Sequence, residues 1–149
     1  MVHREGGSGH GGADDHLPEV AATIAQLLES GIRTAIVSTK FRYRIERILE
    51  RERLEHAFEV IVGGEDVFQH KPDPEGLQQA LGRLKIVPAH AVYVGDHPVD
   101  AEAASRAAVD FIAVLTGMSR AHEFAEYRVK HVLSTLTELP ATLRGRAAP

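Results

Sequence analysis

Four polar residues stand at chemically suggestive points between predicted elements of the chain. Ser38 ends one apolar run, Lys71 precedes a proline-rich turn, and Asp96 and Asp100 follow another apolar run. Carboxylates are hard oxygen ligands that suit Mg²⁺, whereas an ammonium group and a hydroxyl can bind phosphate oxygens. The combination therefore favours a site for a phosphorylated small molecule together with Mg²⁺.

Taken singly, each of these residues also has an ordinary structural explanation. Ser38 or Thr39 could cap the helix that follows, and Lys71 could be a solvated loop lysine. Asp96 could cap the next helix, whose positive end would also favour Asp100. Only the combination of all of them, in this order, favours a functional site over these structural roles.

The elements that would position these residues alternate between helix and strand. Apolar runs bounded by turn residues predict strands at 32–37, 58–62, 91–95, 111–115 and 129–133. Helices are predicted to begin near residues 18, 41, 74, 98 and 135, with a short helix after Ser119. Such alternation predicts an α/β fold with a doubly wound parallel sheet, whose carboxyl edge is where ligands bind.

Apolar residues at helical spacing predict the buried face of each of the first three helices. Gly31 is expected to end the first helix and Asp73 to cap the third. The predicted inner-face residues are Val20, Ile24, Leu27 and Leu28 for the first helix, Phe41, Ile45, Ile48 and Leu49 for the second, and Leu77, Ala80, Leu81 and Leu84 for the third.

Composition limits the class of protein. With 149 residues, 44% of them apolar and 26% charged, the chain fits one globular domain. A net charge of −4 without a basic stripe argues against nucleic acid, and no apolar run approaches the roughly 20 residues that span a bilayer. Zero cysteines and an N-terminus without an apolar signal segment predict a cytoplasmic location. We expect a disordered Gly/His-rich tail at 1–16, a core domain at 17–143 and a second tail at 144–149.

Three segments resemble the second, third and fourth motifs of the haloacid dehalogenase-like (HAD) hydrolases. They are Val37-Ser38-Thr39-Lys40, Lys71-Pro72-Asp73-Pro74, and Val94-Gly95-Asp96 with Asp100. The resemblance covers roughly residues 17–143 and is nearest to the phosphoglycolate phosphatase-like branch, which includes β-phosphoglucomutase-like and pyrophosphatase-like members. It implies a Rossmann-like, HAD-type sheet and a Mg²⁺-dependent phosphatase that acts on a small phosphorylated metabolite.

The resemblance implies a role for each matching residue. Ser38, with Thr39 beside it, would bind phosphoryl oxygens. Lys71 would neutralise charge on the phosphoryl group and on the attacking carboxylate, which makes it the predicted catalytic residue. Asp96 would hold Mg²⁺ directly or through water, and Asp100 would support the metal from the following helix.

The resemblance also implies a first motif that this sequence lacks. In the family, an apolar strand ends in Asp-x-Asp, whose first acid attacks phosphorus while the second is the general acid and base. Asp14 and Asp15 are adjacent and follow Gly, His and Ser residues, so no strand would position either as a nucleophile. The helical cap that commonly selects the substrate is missing as well. We therefore expect this chain alone to be inactive.

The missing strand would lie at the centre of the sheet, between the predicted strands at 32–37 and 91–95. We expect its absence to leave a gap of roughly 10 Å, or two strand spacings. Direct pairing of the two neighbouring strands could close the gap, or another chain could supply a strand. Otherwise the domain would be marginally stable, so self-association or a strand-donating partner is expected.

Two other functions remain as alternatives. The first is a non-catalytic phosphate-binding or regulatory module that keeps the same scaffold. The second is a generic nucleotide-binding or receiver-like domain. The second has less support because Gly63-Gly64 lacks the Gly-x-Gly-x-x-Gly spacing and no strand-borne acid stands as a phospho-acceptor.

Overall fold

A computed structural model describes residues 18–115 and 120–144. The tail predicted at 1–16, including Asp14 and Asp15, and most of the tail predicted at 144–149 lie outside the described residues. The domain boundaries therefore stay a prediction. Within the described ranges, no helix combines the length and the apolar character that a membrane crossing requires.

Helices and parallel strands alternate through the described part of the chain. The helices are α1 (Pro18–Glu29), α2 (Arg42–Arg51), α3 (Glu75–Leu84), α4 (Pro98–Ala107) and α5 (Leu139–Arg144). The strands are β1 (Ala35–Val37), β2 (Val60–Val62), β3 (Val92–Gly95), β4 (Asp110–Val114) and β5 (Val129–Leu133). Short 3₁₀ helices lie at Gly64–Asp66, Pro88–His90, Ala121–Phe124 and Leu136–Glu138. Every strand pair is parallel, which confirms the predicted α/β class.

The ends of α3 and α4, which flank the site, have identifiable causes. The Oδ1 atom of Asp73 accepts the backbone N–H of Glu75, the first residue of α3, at 2.9 Å. Lys85 ends that helix in the left-handed conformation, with φ of 58°. His97 caps α4 because its Nδ1 atom accepts the N–H of Val99 at 3.1 Å. Local polar groups therefore fix where both helices begin.

One face of the strands is covered by a single apolar core. Val37 and Val62 from β1 and β2 share a cluster with Tyr93 and Phe111 from β3 and β4. The inner residues of α3 and the alanines of α4 complete it. The predicted inner face of α3 is confirmed, because all four of its residues are buried. This cluster therefore joins β1 and β2 to β3 and β4.

The strands nevertheless form two separate sheets, β1–β2 and β3–β4–β5. Among the described residues, no strand lies between β1 and β3 and these two neighbours do not pair directly, as expected for a sheet without its central strand. On the face opposite the shared core, the apolar residues split into one cluster with α1 and α5 and another with α2. A groove of about 780 Å³ lies there, lined by Ala21, Ile24, Ala25 and Leu28 of α1 and by residues 51–57.

Some details of the prediction were wrong. β1 and β2 are shorter than predicted, because their register begins only at the pair of Ala35 and Val60; before it, a single backbone bond joins the N–H of Glu59 to the carbonyl oxygen of Thr34 at 2.9 Å. Leu28, Phe41 and Ile48 are 41%, 53% and 37% exposed. Leu28 borders the groove, and Phe41 precedes α2 in an extended conformation, so helical spacing does not apply to it. Ile48 lies about 100° around the helix from the buried Leu49.

Leu77→Ala tests the core that joins the two sheets. Leu77 is 1% exposed, so we expect its truncation to lower the free energy of unfolding by about 2–5 kcal/mol in urea denaturation. Val87→Ala is the matched control, because Val87 is 55% exposed and its truncation should change stability by about 0.5 kcal/mol or less. Equal effects of the two substitutions would contradict the shared core.

Candidate functional site

A buried ion pair joins the loop before α3 to the first turn of α4. The Nζ atom of Lys71 donates to Oδ1 of Asp100 at 2.6 Å, and the two side chains are 5% and 0% exposed. Desolvating either charge alone would cost several kcal/mol, so each group provides the charge that the other requires. The pair fixes the position of the Lys71 ammonium group.

The position of Asp100 depends on its neighbours in β3 and α4. It lies in the first turn of α4, where the positive end of the helix favours a carboxylate. Its side chain lies directly against Gly95, where a Cβ atom would be 2.6 Å from Oδ2 of Asp100. Any larger residue at position 95 would displace the carboxylate. This close approach thus requires the glycine that ends β3.

A tyrosine contacts Lys71 from the strand side. The hydroxyl oxygen of Tyr93 accepts an N–H of the Lys71 ammonium at 3.2 Å, and the hydroxyl donates to the carbonyl oxygen of Val37 at 3.3 Å. The ammonium nitrogen lies 5.8 Å from the centre of the ring, within cation–π range. Tyr93 and Asp100 therefore hold Lys71 between them.

The loop that carries Lys71 is anchored by Glu75. The carboxylate of Glu75 accepts the backbone N–H groups of Phe68 and Gln69 at 3.0 and 2.9 Å. The hydrogen bond from Gln69, followed in size by that from Phe68, lowers the pKa of Glu75 from its ordinary value of 4.5. The Nε2 atom of His70 lies 2.9 Å from the carbonyl oxygen of Gly64, which attaches the loop to the end of β2.

The loop after β1 is attached to the end of β2 as well. Ser38 is 6% exposed, and its Oγ atom accepts the N–H of Lys40 at 3.1 Å. The N–H of Gly64 donates to the carbonyl oxygen of Lys40 at 2.8 Å. A cavity of about 10 Å³, sufficient for one water molecule, lies among residues that include Ser38, Thr39 and Lys71. The structure thus brings the three predicted phosphate-binding residues to one place.

Asp96 follows β3 directly and is partly exposed at the same edge. Mg²⁺ usually binds one or two carboxylates together with waters and substrate phosphate oxygens, so a carboxylate in this position fits that metal. The described ranges contain no group of three or more His, Asp or Glu side chains that could hold a metal by themselves. Because Asp100 is bonded to Lys71, the assignment of Asp96 and Asp100 as metal ligands stays a prediction.

Sequence reasoning missed Tyr93, Glu75 and His70. Tyr93 had a detectable signal, since it is the one residue with a polar group in an otherwise apolar strand and a buried tyrosine hydroxyl requires a partner. Glu75 and His70 had none, because their partners are backbone groups of distant or irregular segments. Local sequence spacing does not report such contacts.

The family model described as haloacid dehalogenase-like hydrolase matches residues 14–114. The chain belongs to this family. It is 34% identical over 150 residues to the plasmid-encoded phosphoglycolate phosphatase of Cupriavidus necator, covering 100% of this chain and 65% of the relative. It is 31% identical over 125 residues to the pyrophosphatase PpaX of Listeria monocytogenes, covering 84% of this chain and 58% of that protein. These relatives place it in the phosphoglycolate phosphatase-like branch.

Solved structures of HAD proteins are similar to the same region. A haloacid dehalogenase-like hydrolase from Bacteroides fragilis matches with a TM-score of 0.80 and 45% identity, covering 83% of this chain and 59% of the other. CbbY from Rhodobacter sphaeroides, solved in complex with phosphate, matches with a TM-score of 0.72 and 29% identity over 82% and 55% of the two chains. The chain thus spans less than two thirds of the length of each of these proteins.

Acid should release the loop anchored by Glu75. Because its pKa in the folded protein lies below 4.5, the hydrogen bonds of Glu75 stabilise the loop fully above pH 4.5 and are lost as the pH falls through the lowered pKa. In NMR titrations, we expect the amide signals of Phe68 and Gln69 to shift with a midpoint below 4.5. Glu75→Gln should abolish this titration, and a midpoint at or above 4.5 would contradict the anchoring role.

Proposed function

We propose that this chain provides the phosphate-binding part of a Mg²⁺-dependent phosphatase that acts on a small phosphorylated metabolite. The observation that carries the proposal is the convergence of Ser38, Thr39 and Lys71 at one place, with the Lys71 ammonium held by Asp100. Relatives named phosphoglycolate phosphatase and pyrophosphatase support a small phosphorylated substrate. A cytoplasmic location, predicted from the sequence, is part of the same proposal.

In this proposal each residue acts through its observed neighbours. Lys71 binds a phosphoryl oxygen and neutralises its charge, while Asp100 orients the ammonium group. The hydroxyl of Ser38 donates its proton to a second phosphoryl oxygen, since its oxygen already accepts the N–H of Lys40. Asp96 would hold Mg²⁺, which supplies Lewis-acid stabilisation of charge on the phosphoryl group when bound. Thr39 lies at the exposed rim, where it contacts the remaining oxygens.

A polypeptide of this sequence should nevertheless show negligible turnover. The sequence contains no Asp-x-Asp segment, and losing the nucleophile of a covalent mechanism typically costs several orders of magnitude in rate. With p-nitrophenyl phosphate and Mg²⁺, we expect the wild type to release no more product than Asp96→Asn. Robust release that depends on Asp96 would overturn this expectation.

Phosphate binding should survive without turnover. A ligand present at about 100 times its Kd stabilises a protein by about 2.7 kcal/mol, so inorganic phosphate with Mg²⁺ should raise the Tm of the wild type. Lys71→Ala should abolish the increase, whereas Lys85→Ala, which removes an exposed lysine beyond the end of α3, should keep it. This result also fits the alternative of a non-catalytic phosphate-binding module. An equal increase in wild type and Lys71→Ala would refute both functions.

The divided sheet supports a partner that supplies a strand. β1 and β3 are edge strands of two different sheets, and an edge strand is a template for pairing with another chain. We therefore expect the purified polypeptide to self-associate or to unfold at low temperature, as measured by light scattering and thermal unfolding. A monomer with a high Tm would show that the gap needs no partner.

A further inference from the structure

We propose that Tyr93 is a positioning residue that couples Lys71 to the loop containing Ser38. The inference rests on the proposed phosphate site and adds a residue that touches neither the phosphate nor the metal. It begins with the hydroxyl of Tyr93, which lies between the Lys71 ammonium and the carbonyl oxygen of Val37.

The direction of both hydrogen bonds is fixed by chemistry. An ammonium group can only donate, and a carbonyl oxygen can only accept. The hydroxyl of Tyr93 must therefore accept from Lys71 at 3.2 Å and donate its own proton to Val37 at 3.3 Å. Because one oxygen makes both hydrogen bonds, a change in the position of Lys71 alters the bond to Val37, and the reverse also holds.

The ring of Tyr93 holds this hydroxyl in place. The residue is 0% exposed, and its ring packs on Phe111 with the ring centres 6.2 Å apart. The hydroxyl therefore has little freedom to follow either partner. Since Val37 is the last residue of β1 and immediately precedes Ser38, the bond from Tyr93 fixes the start of the Ser38 loop.

The hydrogen bond between Tyr93 and Val37 matters because it joins the two separate sheets. Val37 belongs to the sheet of β1 and β2, whereas Tyr93 belongs to the sheet of β3, β4 and β5. Through the described residues, no ladder of strand hydrogen bonds joins β1 to β3. The Tyr93 hydroxyl therefore adds a direct link between Lys71 and β1 to the hydrogen bonds that attach both loops to Gly64.

Tyr93→Phe tests the coupling with sulfate as the probe. Sulfate is a tetrahedral dianion whose charge does not change between pH 6 and 8, and it would be titrated at a fixed Mg²⁺ concentration. We expect the substitution to weaken sulfate binding about tenfold, because it removes a hydrogen bond to a charged group. The ¹⁵N signal of the Lys71 ammonium should also shift, which a purely structural change elsewhere in the core would not cause.

Tyr127→Phe is the matched control, because it also removes a tyrosine hydroxyl, one that lies 3.4 Å from Oε1 of Glu102 and away from Lys71. Its sulfate affinity should equal that of the wild type. A Tyr93→Phe protein that loses stability but keeps both its sulfate affinity and its Lys71 signal would overturn the inference. If Lys71→Met binds sulfate as the wild type does, the proposed function fails instead.

A measurement on the wild type covers the case in which Tyr93→Phe does not fold. With tyrosine labelled by ¹³C at Cζ, sulfate should move the Tyr93 signal and leave the Tyr127 signal unchanged. Sulfate that binds in a Lys71-dependent manner without moving the Tyr93 signal would exclude the coupling and leave the phosphate site intact.

Discussion

The buried pair of Lys71 and Asp100 is the interaction on which the arrangement of the site depends. Removing one partner of such a pair typically costs about 3–5 kcal/mol, because the other charge stays buried without compensation. The pair therefore requires the loop before α3 and the first turn of α4 to stay 2.6 Å apart at their charged atoms. It also requires a glycine at position 95, since a Cβ atom there would collide with the carboxylate.

The same pair lies on the side of the molecule where the core is continuous. On that side, α3 and α4 cover both sheets, and their apolar residues share one cluster with β1 and β3. On the opposite side the apolar residues separate into two clusters with a groove between α1 and residues 51–57. The elements that carry Lys71 and Asp100 are thus also those that join the two sheets, so the site and the cohesion of the domain share one set of contacts.

Sequence patterns predicted the parts of this arrangement that depend on local periodicity. The inner face of α3 was predicted because its burial repeats with the helical period. The bounds of β5 were predicted from its β-prone residues, although its exposure does not alternate along the strand. The exposure of Leu28 and Ile48 was not predicted, because it depends on what lies opposite each helix. The bond between Lys71 and Asp100 joins residues 29 positions apart, and no local rule relates them. Helical spacing does not govern Asp96 and Asp100, because α4 begins only at Pro98.

The charge balance of the site bears on its proposed use of Mg²⁺. The formal charges of Lys71 and Asp100 cancel, and Asp96 adds a further negative charge at the same edge of β3. A phosphoryl dianion approaching these three residues would gain less Coulomb energy than it would from an uncompensated ammonium, since Asp100 lies 2.6 Å from the Lys71 nitrogen. A divalent cation on Asp96 would reverse this balance and leave Lys71 to orient one oxygen. The pairing that fixes Lys71 so firmly therefore favours a site in which the metal provides most of the attraction and the lysine most of the geometry.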